Sequence, residues 1–226
     1  MRKKKVSVVA VCLNEVKTIL RILDNIPKNT VDEILVVDGH STDNTFEIVK
    51  KAGYSIIYQK GKGRANAFKT GFRKVSGDSV VMLSTDGNER SADIKKLIEK
   101  ANSGFDLVIA TRFGLGRSED VTFIRNIGNY FFTMLCNLAG NLHITDSMNG
   151  FRILTREAIE KMNIESDRFD IEAEITIKAG KLKLRVGEIP TIEDPRLHSS
   201  SRLRTIRDGY IILRRIVKEA FRGPPY

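Results

Sequence analysis

The sequence predicts an α/β fold, a doubly wound and mainly parallel sheet, on three observations. Five short β-branched apolar runs recur up to Thr111, segments of helical periodicity separate them, and a polar cluster follows the end of each run. Runs that are apolar throughout, rather than alternating, are what strands covered on both faces require.

The first run is "VSVVAVC" (Val6–Cys12), and Thr18, Leu20, Ile22, Leu23 and Ile26 after it mark a helix. "EILVVD" (Glu33–Asp38) is the second strand, with Ser41 or Thr42 positioned to cap a helix through Phe46, Ile48 and Val49. "YSIIYQ" (Tyr54–Gln59) is the third, followed by a helix from Arg64 towards Val75. "SVVML" (Ser79–Leu83) is the fourth, leading to a helix over Ala92–Ala101 with Ser91 as its cap, and "DLVIAT" (Asp106–Thr111) is the fifth.

A chain of 226 residues with 41% hydrophobic and 29% charged residues has enough apolar content for one large core and reads as an ordinary globular protein. No run approaches the ~20 apolar residues that cross a bilayer, and "MRKKKVSVVAVCLNE" has too short an apolar stretch and no cleavage site for a leader, so a cytoplasmic chain is expected. Cys12 and Cys136 form no CxxC pair and read as core thiols, and His40, His143 and His198 lack metal-ligand spacing. The net charge of +10 points to an anionic partner. From Arg196 to Tyr226 eight basic residues face two acidic ones, so more than half the surplus lies there. Charge alone would also suit nucleic acid, but there is no aromatic RNA-binding pattern, helix-turn-helix signal or zinc spacing, and none is expected to bind.

In a doubly wound sheet, ligands bind beyond the carboxyl ends of the strands. Those ends carry Asn14 and Glu15, Asp38 and His40, Lys62 and Arg64, Asp86 and Asn88, and Arg112. Carboxylates, amides and bases on one rim suit a sugar nucleotide with a divalent metal. "LNEVKT" after the first strand lacks the GxGxxG that lets a backbone approach a dinucleotide pyrophosphate, which argues against hydride chemistry on NAD. Taken alone, the Asp-Gly of "STDGN" is a turn dipeptide.

Seven motifs in order resemble the family 2 glycosyltransferases, in particular the dolichyl-phosphate mannose synthase branch. "CLNE" (Cys12–Glu15) is similar to T-Y-N-E, "VVDGHSTDNT" (Val36–Thr45) to V-V-D-D-G-S-x-D-G-T, and "GKGRANAFKTG" (Gly61–Gly71) to G-x-G-x-A-x-x-x-G. "GDSVVMLSTDGN" (Gly77–Asn88) falls where the family has G-D-x-x-x-x-x-D-A-D-L-Q, "ATR" (Ala110–Arg112) where it has G-S-R, and "DSMNGFR" (Asp146–Arg152) where it has D-x-x-S-G-F-R. "RLHSSSRL" (Arg196–Leu203) resembles the terminal R-x-x-G-x-S-K-L. Two departures stand out: Gly39-His40 replaces D-G, and Ser84 replaces the first Asp of D-x-D.

The resemblance implies a GT-A type nucleotide-sugar-binding sheet. It implies one catalytic domain over 1–200, with a nucleotide-sugar half (1–115) and an acceptor half (116–200), and a C-terminal amphipathic helix over 201–226. It further implies inverting transfer of a sugar from GDP-mannose or a UDP-hexose to polyprenyl phosphate, with Mg²⁺ or Mn²⁺. Asn14 and Glu15 would lie near the base and Asp38 near the ribose and base, with Lys62 and Arg64 also on the donor. Asp86 and Asn88 would hold the metal, Arg196 would reach the diphosphate, and Arg112 and Arg125 the acceptor phosphate; Asp86 and Arg112 would be the catalytic pair. The chemistry is coherent: a hard cation offsets the charge of a diphosphate leaving group, and a phosphate acceptor is already anionic and needs a cationic cradle more than a base. A soluble or saccharide acceptor would instead need a base, with Asp146, Asp170 and Glu172 as candidates. Asp146, Asn149 and Arg152 suit loop stabilisation and substrate contact equally.

A lipid-linked acceptor is met at a bilayer. Leu203, Ile206, Tyr210, Leu213, Val217 and Ala220 recur at three- and four-residue steps with Arg204, Arg207, Arg214, Arg215 and Lys218 among them, which predicts a basic amphipathic helix. It would either dock on the sheet or meet a membrane. "IGNYFFTMLCNLAG" (Ile127–Gly140) would line a lipid groove or belong to the core. Ending at "FRGPPY", the chain resembles the single-domain type, peripheral at the cytoplasmic membrane face or held there by a separate membrane subunit.

Overall fold

The computed structural model describes residues 4–114, 116–119, 123–195, 205–224 and 226. The five expected strands are present as β1 (Val6–Cys12), β2 (Glu33–Asp38), β3 (Ser55–Tyr58), β4 (Ser79–Ser84) and β5 (Leu107–Thr111). Beyond them come β6 (Arg117–Ser118), β7 (Arg152–Thr155), β8 (Val186–Pro190) and β9 (Ile192–Glu193). The helices are α1 (Ile19–Asp24), α2 (Thr45–Lys51), α3 (Arg64–Phe72), α4 (Ile94–Asn102), α5 (Phe123–Gly140), α6 (Arg156–Met162), α7 (Ile171–Lys181) and α8 (Thr205–Phe221).

Seven strands form one sheet in the order β3-β2-β1-β4-β7-β5-β8, and β6 pairs with β9 apart from it. All pairings in the large sheet are parallel except those of β7, which runs antiparallel to both β4 and β5. Side chains alternate across the sheet, so each strand feeds two cores. Val8, Ala10, Val36, Val81 and Val108 pack on one face with Ile19 and Leu23 of α1 and Ile94 and Leu97 of α4. Val9, Val37, Met82 and Ile109 pack on the other with Phe68 of α3 and Ile175 of α7.

Helix α7 is buried along Ile171–Ala179, including its charged residues Glu172, Glu174 and Lys178. The Lys178 ammonium is fully enclosed and donates to Glu174 Oε1 at 2.6 Å and to the Met162 carbonyl at 2.9 Å, which compensates its burial. Ala173 and Ile177 form a third cluster with Cys136 of α5 and Ile212 and Ile216 of α8. A Cβ on Gly180 would fall 2.0 Å from the Gly140 carbonyl oxygen, so the α5–α7 crossing needs glycine there. Both thiols, Cys12 and Cys136, are buried and unbridged.

The C-terminal helix docks on α5 and α7 rather than on the sheet, and the face it packs with is not the stripe picked out by periodicity. Its inward residues are Asp208, Ile212, Ile216 and Glu219, whereas the stripe expected to bind stays outward, with Ile206 90%, Tyr210 68% and Val217 50% exposed. On α5, Phe131 and Leu138 likewise face out while Cys136 is inside. Leu203 and Arg204 lie outside the described residues. Among the described residues, no helix is long and apolar enough to cross a membrane.

Local details also differ from expectation. Helix α2 starts at Thr45 after a left-handed Asn44, because the Ser41 hydroxyl bonds Asp38 instead of capping. The Ser91 hydroxyl donates to the Ile22 carbonyl at 3.2 Å, and a single 3-10 turn over Ser91–Asp93 precedes α4. Helix α3 ends at Phe72, short of Val75.

Arg215 ties α8 down, with Nε 2.9 Å from Asp170 and Nη1 3.1 Å from Glu219. Lys218 and Arg222 bond Glu165 in the α6–α7 loop at 2.6 and 2.5 Å. Hydrogen bonds from Lys218 and then Arg222 pull the Glu165 carboxyl from about 4.5 down to about 2. A depressed carboxyl contributes stability that is complete above its unfolded value and lost as pH falls through the folded one. With its side chain 32% exposed, solvent screening limits the effect to about 1 kcal/mol. Hydrogen exchange should show α8 amides losing protection selectively as pH falls from about 5 towards 2, and Glu165→Gln should remove that pH dependence.

Candidate active site

A cavity of about 670 Å³ opens beyond the carboxyl ends of the strands. Of the residues expected from sequence, Glu15, Lys62, Arg64, Asp86, Asn88, Arg112 and Arg125 line it. Asn14 and Asp38 are not among its lining residues. Asn14 has left-handed backbone, and its Oδ1 accepts the Thr42 N–H at 2.7 Å. Asp38 is fully buried and accepts from Ser41 N at 2.8 Å and from Cys12 Sγ at 3.3 Å. Both shape the 38–45 loop beside the cavity. Arg196 lies outside the described residues.

At the centre, Arg64 enters from the first turn of α3, with Nε 3.1 Å from Glu172 on α7 and Nη1 2.7 Å from Ser84 Oγ at the end of β4. A Cβ on Gly150 would fall 2.0 Å from Arg64 Nη2, so the guanidinium occupies space that only glycine leaves. Burial opposes the Arg64 charge, but Glu172, Glu89 and Asp86 outweigh it and raise its pKa.

The turn after β4 is built around Ser84. Glu89 folds back so that its carboxylate accepts Ser84 N at 2.6 Å and Ser84 Oγ at 3.0 Å. Burial lifts the Glu89 carboxyl to about 7, against the pull of Arg64 and with the help of Asp86. Asn88 is 4% exposed and donates Nδ2 to Glu193 Oε1 at 2.9 Å, while its Oδ1 is buried with no hydrogen-bond partner. An orphaned buried amide oxygen is costly unless a donor or a cation reaches it. Asp86 and Glu89 line the same cavity as Asn88, and carboxylates with an amide oxygen are the hard-oxygen donor set that Mg²⁺ or Mn²⁺ takes, so the residues fit such an ion.

Arg112 at the end of β5 is held between two carboxylates. Its Nε and Nη2 contact Asp146 at 2.8 and 3.1 Å, and its Nη1 lies 3.5 Å from Glu193. Burial works against this cation, but Asp146 and then Glu193 outweigh it and raise its pKa. Asp146 is fully buried and also accepts Asn149 N at 3.1 Å, so it organises the 146–149 loop and is not presented as a base. Arg152, fully buried, donates to the carbonyls of Ser147 and Asn149, which accounts for it structurally. Asp170 is engaged by Ser166 and Arg215.

The far wall is apolar: Ile124 and Phe132 of α5 and Ile212 of α8. Sequence reading missed Glu89 and Glu193 as site residues. Glu89 stands one residue beyond Asn88, so the signal was a second acid within five residues of Ser84. Glu193 lies in a two-residue strand with no periodicity to announce it.

The family model for glycosyl transferase family 2 matches residues 7–162. The chain therefore belongs to glycosyl transferase family 2. It is 30% identical over 223 residues to "Glycosyltransferase AglJ" of Haloferax volcanii, covering 96% of this chain and 74% of that one. It is 25% identical to the "UDP-N-acetylglucosamine--dolichyl-phosphate N-acetylglucosaminyltransferase" of Methanococcus voltae, with 96% of each covered. It is 31% identical to the "Dolichol-phosphate mannosyltransferase" of Pyrococcus furiosus, over 88% of this chain and 59% of that one. Among solved structures, glucosyl-3-phosphoglycerate synthase from Mycobacterium tuberculosis in complex with Mn²⁺, UDP and phosphoglyceric acid superimposes with a TM-score of 0.80 at 20% identity, over 98% of this chain and 80% of that one. That likeness shows the GT-A fold. The protein is a glycosyltransferase.

Because Asp146 is the partner of a buried Arg112, Asp146→Asn should cost about 3 kcal/mol of stability in chemical denaturation. A catalytic base would instead lose turnover with the fold untouched.

Proposed function

We propose that this glycosyltransferase moves a sugar from a nucleotide diphosphate to a polyprenyl phosphate, with inversion and with Mg²⁺ or Mn²⁺. One observation carries the lipid part of the reading. The helices that give the cavity its apolar wall, α5 and α8, also carry an outward apolar surface: Ile127, Tyr130, Met134 and Leu138 on one, Ile206, Tyr210, Val217 and Phe221 on the other. Exposed apolar area on this scale marks an interaction site, and Arg207 and Arg214 on α8 would each add about 1 kcal/mol at an anionic lipid surface. In this reading the protein works peripherally at the cytoplasmic membrane face, with or without a membrane subunit. The names of the relatives from Methanococcus voltae and Pyrococcus furiosus support a dolichyl-type acceptor.

In this reading the donor lies over Glu15, Lys62 and Arg64, with Asn14 and Asp38 shaping the base-side loop and Arg196 reaching the diphosphate. A divalent cation bound at Asp86 and Asn88 would neutralise the departing diphosphate. Arg125, on the cavity wall, positions the acceptor phosphate in line, and its anionic oxygen attacks without a protein base. Arg112 contributes by holding the 146–149 loop and Glu193 in place.

A second reading is a soluble phosphate-bearing acceptor, favoured by the fold shared with the phosphoglycerate enzyme. Both are tested by incubating the protein with labelled UDP- and GDP-sugars and Mg²⁺, with either dolichyl phosphate or 3-phosphoglycerate. Label in the lipid phase is expected, lost in Asp86→Ala with an unchanged melting curve. Label only in the aqueous product would select the second reading. In vesicle sedimentation, Ile127→Glu with Tyr210→Glu should release the protein from anionic vesicles while leaving its fold intact.

A further inference from the structure

Resting on the metal-dependent nucleotide-sugar reading, we propose that Glu89 supplies the carboxylate that position 84 lacks, so that Asp86, the Asn88 amide oxygen and Glu89 together hold the divalent cation.

The argument begins with reach. A serine at 84 cannot offer a carboxylate, but Glu89 returns across the turn and lays both its oxygens on Ser84, one on the backbone N–H at 2.6 Å and one on the hydroxyl at 3.0 Å. A glutamate five residues downstream thereby occupies the neighbourhood from which an aspartate at 84 would project. Ser84 is suited to this arrangement because its hydroxyl hydrogen goes to Glu89 while its oxygen accepts Arg64.

The second observation is independent of the acids. Asn88 lines the same cavity, is 4% exposed, and keeps Oδ1 buried and unbonded because Glu193 fixes its Nδ2. That oxygen is an acceptor awaiting a donor or a cation.

Charge points the same way. The cavity wall carries Glu15, Asp86, Glu89, Glu172 and Glu193 against Lys62, Arg64, Arg112 and Arg125. Arg112 is engaged by Asp146 and Glu193, and Arg64 directs its Nε to Glu172 and its Nη1 to Ser84. A diphosphate entering beside Asp86 and Glu89 meets two carboxylates of its own sign, an arrangement that a bound divalent cation makes favourable. The other acid cluster among the described residues, Glu165, Glu174 and Glu219, has Arg215, Lys178 and Lys218 as ion-pair partners.

Mn²⁺ binding followed by the loss of its free-ion electron paramagnetic resonance signal, with UDP or GDP present, tests this without turnover. Wild type should bind, Glu89→Gln should bind about tenfold or more weakly, and Ser84→Asp added to Glu89→Gln should recover most of the loss. Wild-type affinity in Glu89→Gln overturns the proposal and leaves the metal-dependent reading standing. No Mn²⁺ uptake by wild type with either nucleotide overturns both. Glu89→Asp keeps the charge but shortens the reach; should Glu89→Gln not fold, unchanged affinity in Glu89→Asp overturns the proposal and weakened affinity upholds it.

Discussion

The cleft depends on Arg64. Its guanidinium spans from Ser84, at the end of a strand in the first half of the chain, to Glu172, on the largely buried helix α7 of the second half. A cation in that position draws carboxylates from both halves to one place and offsets their mutual repulsion. Without it, Glu172 would be buried without its ion pair, and the buried Glu89 carboxylate would lose the attraction of Arg64. Gly150 belongs to the same interaction, since any side chain there would displace the guanidinium.

The same logic of enclosed charge recurs in the second half. Lys178 is satisfied by Glu174 and two carbonyls, Arg152 by loop carbonyls, and Arg112 by Asp146 and Glu193. Each fixes a loop that an apolar contact would leave free to slide, because charge-assisted hydrogen bonds impose direction as well as distance. Precise placing of loops is what a transfer reaction between two bound substrates requires.

How much of this could be read from sequence follows from periodicity. β1, β2, β4 and β5 are unbroken apolar runs and were legible, and their carboxyl ends located the cleft. β7 was not, because in "RILT" a buried Arg152 stands where a strand pattern expects an apolar residue. In α7, "IEAEITIKAGK" alternates apolar and charged residues as a half-exposed strand would, yet it is a buried helix whose charges find internal partners. In α8 the apolar stripe was correctly recognised, but the pattern could not tell which face packs: Ile212 and Ile216 go in and the longer stripe stays out. Rim position likewise brought Asp86, Asn88 and Arg64 to the site, whereas Glu89 reaches it only through a fold-back that no spacing rule records.

The antiparallel insertion of β7 between β4 and β5 has a consequence for how the molecule is made. Both neighbours have been synthesised by Thr111, but they never touch in the sheet; β4 has β1 on one side, and the edges that β4 and β5 turn to each other wait for residues 152–155. Until then the facing edges of β4 and β5, both strongly apolar, stay open and are of the kind that pair with other chains. The middle of the sheet is therefore filled late, before β8 adds to its edge. Any fragment cut at the boundary between the two halves would be sticky rather than a smaller version of the enzyme.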